Sequence, residues 1–540
     1  MSDPSHGPAG PAGGPQSMPQ PYSYPGAGDA SGATDPAQGV ALADEPSSPG
    51  AGRSRRTGLL AGGIAAVLLL GGAGVFAAQQ LSGGGSQPAD VLPGDAYAYV
   101  RLDIDPSAGQ KIAAVRFLGK VPQIQDTLGS GDPRKKLWDL AAKDSDEACM
   151  KAFNYDADIA PWLGDRIGVA LRPGGTQDKP NLAVAVQVKD EDAARTSLTK
   201  LQACGKSGSD SDLRMKDGYA IITPKGVGDA TMAATAQGSL AQNSTFTGDM
   251  SALGEQGVMS AWMDMGRGLT EMQKLGGDSG MASTFGMGAV PTANAQGRVA
   301  AALRFDTDYL ELAGLVRGGD ASTTVKGNGS EMAGLPANTM AALQVSGADQ
   351  SIDAAWPALK KQLDTLAGGG QDDIVTMAEQ QLGIKLPDDL KALLGRSFTL
   401  SLPDQDFQSA APAVGAKIVS SDAKRADAVI TKLLQAAGGE VDLTHRVEGD
   451  KVYVATTPGY ADDLKAGGRL GDSDAFKQAV GDVGSSSVAL FLDLDKLEKL
   501  YLSDVHGQEK TFLESLKAVG VNATQTAPGE ATFSMRVVGN

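Results

Sequence analysis

Aspartate pairs at the ends of predicted strands are the features of this sequence that most resemble a chemical site. The two members of each pair stand one residue apart, at Asp103 and Asp105, Asp306 and Asp308, and Asp493 and Asp495. Carboxylate oxygens could bind Ca²⁺, but that ion needs about six to eight oxygen ligands, and no calcium-loop spacing completes such a shell. An aspartate before a helix also accepts hydrogen bonds from the unpaired N–H groups of the first turn. We therefore expect these acids to cap helices, and we predict no metal and no other cofactor.

Motifs for nucleophilic catalysis and phosphate binding are weak in this chain. The sequence contains three histidines and has no H-E-x-x-H motif, no G-x-S-x-G motif and no Cys–His pairing. The G-K-S tripeptide after Cys204 lacks the earlier glycine of a phosphate-binding loop, because Lys200 occupies that position. We therefore predict that the protein is not an enzyme. A hydrolase built from scattered Asp, Ser and Lys residues is a less favoured alternative.

The sequence has two cysteines, Cys149 and Cys204. Both follow an apolar segment that we interpret below as a membrane span, so we place them outside the membrane. An even number of cysteines in an oxidising compartment favours a disulfide. The bridge would close a loop of about 55 residues, which in the chain-entropy model is worth on the order of 4 kcal/mol. Two free buried thiols are the alternative.

An uncharged segment near the N-terminus predicts a transmembrane helix. Residues 58–80 are uncharged, and their apolar part from Gly58 to Ala78 is, at about 1.5 Å per residue, long enough to cross a hydrocarbon core of about 30 Å. Arg53, Arg55 and Arg56 precede the segment, and no Lys or Arg follows it before Arg101. The positive-inside rule therefore places the N-terminus in the cytoplasm and the C-terminal part outside the cell membrane. A cleavable signal peptide is the alternative, although the preceding tail is longer than a signal n-region.

The segments that flank this span are predicted to be unstructured. Residues 1–57 form a Pro/Gly-rich cytoplasmic tail with ten prolines in its first fifty positions, a composition typical of disordered chains. Residues 81–90 read as a flexible linker. Within the span, Gly58 and Gly62 give a G-x-x-x-G spacing, which could pack two helices into a weak homodimer.

The charge balance excludes one class of partner. The 540 residues include 47 Lys and Arg against 64 Asp and Glu, so the formal net charge is 47 − 64 = −17. An acidic surface repels nucleic acid, whose binding requires clustered basic side chains. We therefore predict no nucleic-acid partner.

Repeated stretches along the chain predict an internal duplication. The sequence VQVKDEDAARTSLTKL at residues 186–201 resembles IVSSDAKRADAVITKL at residues 418–433, and six such stretches keep their order. We predict two extracytoplasmic α+β repeats, 91–320 and 321–540, each with a mostly antiparallel sheet and helices on one face. Residues 308–319 have no counterpart in this alignment, so we expect an extra strand there that bridges the two sheets.

The segments LPGDAYAYVRLDIDPSAGQKIAAVRFLGK and DADIAPWLGDRIGVAL resemble actinobacterial single-pass envelope proteins of domain-of-unknown-function family 3352. The resemblance covers roughly Gly83 to Asn540. It implies a bacterial membrane protein with one span and a large outer domain. It transfers no activity and no catalytic residues.

Two kinds of function follow from these observations. The favoured one is a non-enzymatic scaffold of the cell envelope that binds a partner protein or a wall component, with residues 58–80 as its tether. The alternative is a carrier of a lipid or another apolar ligand. A scaffold should expose an apolar patch of several hundred Å² outside any cavity, whereas a carrier should contain an apolar cavity large enough for an acyl chain.

Overall fold

The structure is a computed structural model. It describes residues 85–121, 132–143, 153–176, 181–203, 211–274, 296–319, 325, 327–366, 374–407, 412–438, 443–502 and 505–540. The predicted tail, the predicted span with its flanking arginines and its two glycines, and both cysteines lie outside these residues, so those predictions stay predictions. In the part of the chain that is described, no helix has the length and apolarity needed to cross a membrane.

Sixteen strands of the described residues form one sheet, in which all named pairings are antiparallel. In chain order the strands are β1 Ala98–Asp103, β2 Leu163–Leu171, β3 Leu182–Val188, β4 Ser211–Lys216, β5 Tyr219–Pro224, β6 Met259–Asp264, β7 Arg298–Phe305, β8 Tyr309–Arg317, β9 Thr339–Ser346, β10 Ser397–Pro403, β11 Gly415–Val419, β12 Thr444–Glu448, β13 Lys451–Ala455, β14 Val488–Asp493, β15 Leu516–Ala527 and β16 Glu530–Gly539.

Helices connect these strands and make the predicted α+β class correct. In chain order they are α1 Pro88–Val91, α2 Ala108–Lys120, α3 Pro133–Lys143, α4 Glu191–Gln202, α5 Gly228–Gln237, α6 Ser244–Leu253, α7 Met265–Lys274, α8 Ser330–Ala333, α9 Ala348–Leu366, α10 Ile374–Leu382, α11 Asp388–Leu394, α12 Ala423–Ala436, α13 Pro458–Ala466, α14 Asp474–Ala479, α15 Leu494–Tyr501 and α16 Gly507–Glu514. A π-turn at Tyr155–Ile159 and 3₁₀ turns at Leu240–Gln242 and Leu470–Asp472 complete the connections. Helix α1 begins within the predicted linker 81–90.

The strand order is the same when it is read inward from either edge. From one edge the order is β4-β5-β3-β2-β1-β6-β7-β8, and from the other it is β12-β13-β11-β10-β9-β14-β15-β16. Adding eight to each strand number of the first series gives the second. This is the order that the predicted duplication would produce, and the duplication itself remains our interpretation of the sequence.

The two halves share one sheet, so the prediction of a separate sheet for each repeat is wrong. Strand β8 pairs with β7 on one side and with β16 on the other, which places it at the junction as expected. Its counterpart in the strand order is β16, however, and the counterpart of β7 is β15. Residues 308–319 are therefore not an extra strand.

The repeated sequence that opens each αβ unit has a local physical explanation. Asp190 accepts a hydrogen bond from the backbone N–H of Ala193 (2.9 Å) and caps α4, and Asp422 accepts one from Arg425 (3.0 Å) and caps α12. In both stretches a strand ends shortly before the aspartate, β3 with a buried Val188 and β11 with a buried Val419. The aspartate satisfies an N–H group that the first helical turn leaves unpaired.

Helices cover both faces of the sheet, which corrects the prediction of helices on one face. Ala183 and Ala185 of β3 pack in a core with Phe246 of α6, whereas Val184 between them packs in a second core with Leu198 of α4. Successive side chains of a strand point to opposite faces, so these two cores lie on opposite sides. The run LAVAVQV of β3 is nearly all apolar because neither face meets water.

A buried carboxylate joins the two halves at the junction. Glu311 of β8 is 5% exposed and accepts hydrogen bonds from Arg304 Nε (2.6 Å) and Arg536 Nε (2.9 Å), one arginine from each half. The Arg536 guanidinium also lies 4.4 Å from the ring centroid of Tyr309. Burial alone would raise the pKa of Glu311, but the hydrogen bonds and charges of the two arginines outweigh it and lower that pKa.

Replacing Glu311 by glutamine should destabilise the fold. The variant leaves two arginines beside each other in a buried site, and removing one partner of such a cluster typically costs about 3 kcal/mol. The measurement is the urea midpoint of the full chain in detergent micelles. The control is Asp229→Asn, since Asp229 forms an ion pair with Arg214 but its side chain is 89% exposed; this change should cost less than about 0.5 kcal/mol. Equal losses of stability in the two variants would contradict a stabilising role of Glu311 at the junction.

The pH dependence should separate the same two variants. The pKa of Glu311 in the fold lies below its unfolded value of about 4.3, so its contribution is complete above that pH and is lost as pH falls from there through the lower folded value. Glu311→Gln should lack this part of the acid destabilisation, while Asp229→Asn should retain it.

Candidate functional site

Three adjacent rows on one face of the central strands carry only apolar side chains. Eight adjacent strands, β10-β9-β14-β15-β16-β8-β7-β6, align in register so that alternate residues form three rows across the sheet. The middle row contains Leu400, Leu343, Leu490, Val521, Met535, Leu312, Leu303 and Met259. One flanking row contains Leu402, Ala341, Leu492, Val519, Val537, Leu310 and Phe305. The other contains Phe398, Val345, Val488, Ala523, Phe533, Gly314, Ala301 and Ala261. We call these three rows the central apolar face.

Large side chains of this face are exposed to solvent. The exposed fraction is 40% for Leu400, 37% for Leu343, 42% for Met535 and 37% for Leu312 in the middle row, and 37% for Val488 in a flanking row. In an ordinary core such residues would be buried. Burying a Leu or Met side chain fully is worth about 1.5–3 kcal/mol, so the fold leaves favourable burial unused along this face.

The dimensions of the face follow from sheet geometry. Seven spacings of about 4.8 Å separate eight strands, so the middle row is about 34 Å long, and three rows of alternate residues span about 14 Å. The flat footprint is therefore on the order of 450 Å². Patches of about 300–600 Å² are the largest that a typical monomer exposes, and they are often functional.

Helix α2 covers one end of the face and extends its apolar character. Phe117 of α2 packs on Phe305 of β7 with ring centroids 5.9 Å apart, and both side chains are buried. On the same helix Ile112 is 51% exposed and Val115 is 45% exposed. The helix therefore buries one apolar stripe against the sheet and leaves a second one in solvent.

Close packing inside the face depends on one glycine. A Cβ atom at Gly314 of β8 would lie 2.2 Å from Cζ of Phe533 on the neighbouring strand β16. The aromatic ring therefore occupies the space above the glycine. This arrangement lets β8 and β16 keep their register across the junction between the halves.

The backbone of the face offers no hydrogen bonds to a ligand. Each of its eight strands pairs with a neighbour on both sides, because the edges of the sixteen-stranded sheet are β4 and β12. A partner cannot extend the sheet here as an added strand. The face therefore recognises a partner through side-chain contact alone.

The aspartates of the three pairs do not share one role, since one caps a helix and others form ion pairs. Asp493 caps α15 through the backbone N–H of Lys496 (3.3 Å), so the capping prediction is correct there. At α2 the cap is Ser107, which accepts from Gln110 N (3.3 Å), and Asp103 instead forms ion pairs with Arg101 and Arg166. Among the described residues no group of three or more His, Cys, Asp or Glu side chains has the arrangement of a metal site.

The remaining aspartates also have local partners. Asp306 accepts from the backbone N–H of Asp308 (3.2 Å), and Asp308 pairs with Lys120 Nζ (2.6 Å). The hydrogen bond and charge of Lys120 lower the pKa of Asp308. Asp105 pairs with Lys111, and Asp495 accepts from the Asn540 side chain (3.0 Å).

The sequence analysis missed the central apolar face. Its members come from strands far apart in the chain, and within each strand they alternate with residues that are themselves apolar and buried, such as Leu315 of β8. The signal that could have revealed it is the excess of Leu, Val and Met at alternate positions of both halves.

Comparison with known proteins supports the family resemblance over part of the chain. A family model described as "Protein of unknown function (DUF3352)" matches residues 59–257. The match begins in the predicted span and ends just before β6. Among curated proteins and among solved structures, no match was found.

Two leucines of one strand provide a matched test of the exposed face. Leu312 is 37% exposed on the central apolar face, and Leu315 is 5% exposed in the core on the opposite side. Leu315→Ala should cost about 3 kcal/mol because it leaves a cavity, whereas Leu312→Ala should cost about 1 kcal/mol. Urea unfolding of the full chain measures both. Similar costs would mean that Leu312 is a core residue and that the face is not available to a partner.

Proposed function

We propose that this chain is a non-enzymatic binding protein of the bacterial cell envelope, tethered to the membrane by residues 58–80, and that the central apolar face holds its partner. The observation that carries the proposal is the row of solvent-exposed Leu and Met side chains across eight paired strands. Exposed apolar surface of this extent is costly to solubility, so its presence favours a binding role.

The chemistry of the face favours a hydrocarbon chain as the partner. Protein interfaces are enriched in Tyr, Trp and Arg at their energetic centres. The three rows contain none of these residues and consist of Leu, Val, Ala, Met, Phe and one Gly. Such a surface makes non-directional contacts, which suit a ligand without polar groups.

Backbone hydrogen bonding supports the same choice. An extended peptide laid on this face would turn some of its own N–H and C=O groups toward apolar side chains, and each unsatisfied group costs about 1–3 kcal/mol. An acyl chain has no such groups. The middle row, about 34 Å long, matches two acyl chains placed end to end, since these span a hydrocarbon core of about 30 Å.

A partner protein is the second candidate, and one observation favours it. The face is an open surface and not the apolar cavity that we expected of a carrier, whereas an exposed apolar patch is what we expected of a scaffold. A helix satisfies its own backbone groups, and a helix of about 20 residues is about 30 Å long, so an amphipathic helix would also fit the face.

The proposed tether makes a prediction about topology. If residues 58–80 span the membrane with the arginines inside, protease added to bacterial spheroplasts that express the full chain should digest the residues after 80. An epitope tag at the N-terminus should survive until the membrane is permeabilised. Digestion of the tag in intact spheroplasts would contradict this orientation.

Photo-crosslinking in cells tests the acyl-chain proposal. Cells that express the full chain are fed a fatty acid carrying a diazirine and an alkyne, illuminated, and the adducts are mapped by mass spectrometry. We expect adducts on peptides of β8, β9, β10 and β16. The double variant Leu312→Glu and Leu343→Glu should reduce them at least fivefold, because burying an ionised carboxylate against a hydrocarbon chain is unfavourable.

The control variant and an internal reference make the outcome decisive. Val447→Glu introduces the same charge at a 45% exposed position on the edge strand β12 and should leave the adducts unchanged. Adducts on residues 58–80 report that the probe reached the membrane. Labelled span peptides without labelled strand peptides would overturn the acyl-chain proposal, and protein cross-links at the same face would then support the partner protein.

A further inference from the structure

A cavity of about 430 Å³ lies on the opposite side of the sheet from the central apolar face. Its floor is formed by Tyr99 and Arg101 of β1. Neighbouring side chains on a strand alternate, so these two point to the face opposite that of Val100 and Leu102. Helix α6 covers the cavity with Phe246 and Met250, and α1 contributes Asp90 at its rim. Cavities of about 300–1,000 Å³ with a few convergent polar groups are typical of small-molecule sites.

The Tyr99 hydroxyl is buried without a hydrogen bond. The residue is 1% exposed, and among the described residues no group pairs with its hydroxyl. Burial is the largest influence on the Tyr99 pKa and raises it. The Ala89 backbone has a smaller, lowering influence, but it does not form a hydrogen bond with the hydroxyl. Leaving a hydroxyl in this state costs about 1–3 kcal/mol, which a bound acceptor would recover.

The Arg101 guanidinium is held in place with one N–H left over. Its side chain is 9% exposed; Nη2 donates to Asp103, and Nη1 donates to Gln256 Oε1 (3.2 Å). In the described part of the chain, Nε has no partner. Asp103 also accepts from Arg166 Nε (3.0 Å), so two arginines share one carboxylate and the buried cluster has one excess positive charge.

The fold does not require this charged cluster. The repeated stretches align Val186 with Ile418, and these residues pair with Ile167 and Phe398 of the neighbouring strands. Ile167 pairs with Leu102 of β1 and Phe398 pairs with Val345 of β9, which makes Leu102 the counterpart of Val345. Counting along the strands from that pair, the counterparts of Tyr99, Arg101 and Asp103 are Ala342, Gln344 and Ser346. All three are buried and uncharged. The second half therefore folds with neutral side chains where the first half has the cluster.

We propose that this cavity binds a small carboxylate with a short apolar part. The two free donors, Tyr99 O–H and Arg101 Nε–H, are one for each carboxylate oxygen, and an ionised acceptor makes the stronger hydrogen bond. Phe246 and Met250 offer apolar contact for the remainder of the ligand. Asp90 at the rim of the cavity is exposed and accepts a hydrogen bond from Gln87 N (2.6 Å). Its carboxylate would repel a ligand carboxylate, so the ligand's carboxylate belongs at the buried end of the cavity, beside Arg101.

Butyrate is the probe for this site. The full chain in phospholipid nanodiscs is titrated with butyrate and followed by saturation-transfer NMR, with empty nanodiscs subtracted. Butanol and butylamine have the same apolar part without the negative charge and should bind at least tenfold more weakly. Equal binding of all three would overturn the carboxylate assignment, and so would the absence of butyrate binding.

The variant Tyr99→Phe separates a binding role from a structural one. It removes only the unpartnered hydroxyl, so the Tm should stay the same or rise, while the Kd for butyrate should rise about tenfold. The control is Thr399→Val, which removes another buried unpartnered hydroxyl in the second half and should leave the Kd unchanged. A lower Tm for Tyr99→Phe, or an unchanged Kd, would show that the hydroxyl does not serve a ligand.

Discussion

The carboxylate of Glu311 between Arg304 and Arg536 sets the register on which the rest of the structure depends. A slip of one residue between β8 and β16 would turn every side chain of one strand to the other face. It would bury Leu312 beside arginines and expose Glu311 on the apolar side. The buried ion pairs therefore fix, from the far side of the sheet, the alignment that makes the middle apolar row continuous across the two halves.

The alternation of side chains along β1 keeps two different surfaces apart. Tyr99 and Arg101 face the cavity under α6, and Leu102 extends the apolar row on the opposite side. A ligand in the cavity and an apolar partner on the face would thus lie on opposite sides of the sheet without touching each other. Substitutions at either surface can be made without altering the side chains of the other, which is why the two proposals can be tested separately.

Local features of the fold follow from the sequence, and pairing between distant strands does not. The stretches beginning at Val186 and Ile418 identify matching strand–helix units, and the shared aspartate is a helix cap in both. The apolar run of β3 also contained evidence against helices on one face only, since a strand that alternates would have polar residues on its solvent side. The run LAVAVQV therefore indicates a strand that is covered on both faces.

The junction shows why the remaining features were beyond sequence reasoning. The resemblance of AQGRVAAALRF at residues 295–305 to APGEATFSMRV at residues 527–537 aligns Arg304 with Arg536 as repeat counterparts. The strand order instead matches β7, which carries Arg304, with β15, while Arg536 lies on β16. The two arginines resemble each other because they bind the same glutamate from opposite sides, and that glutamate is 225 residues from Arg536 in the chain. Neither periodicity nor propensity specifies which strands meet at such a distance. The cavity depends on how α6 packs over β1, which periodicity and propensity do not specify either.

The difference between Arg101 and its counterpart Gln344 affects how the sequence of each half can change during evolution. In a symmetric dimer of identical chains, any substitution appears twice, so a charged cluster useful in one subunit must also be tolerated in the other. A single chain with two structurally matching halves has no such obligation. One half can acquire a costly buried arginine while the other keeps a neutral glutamine and supplies stability, so asymmetry between the halves evolves at little cost.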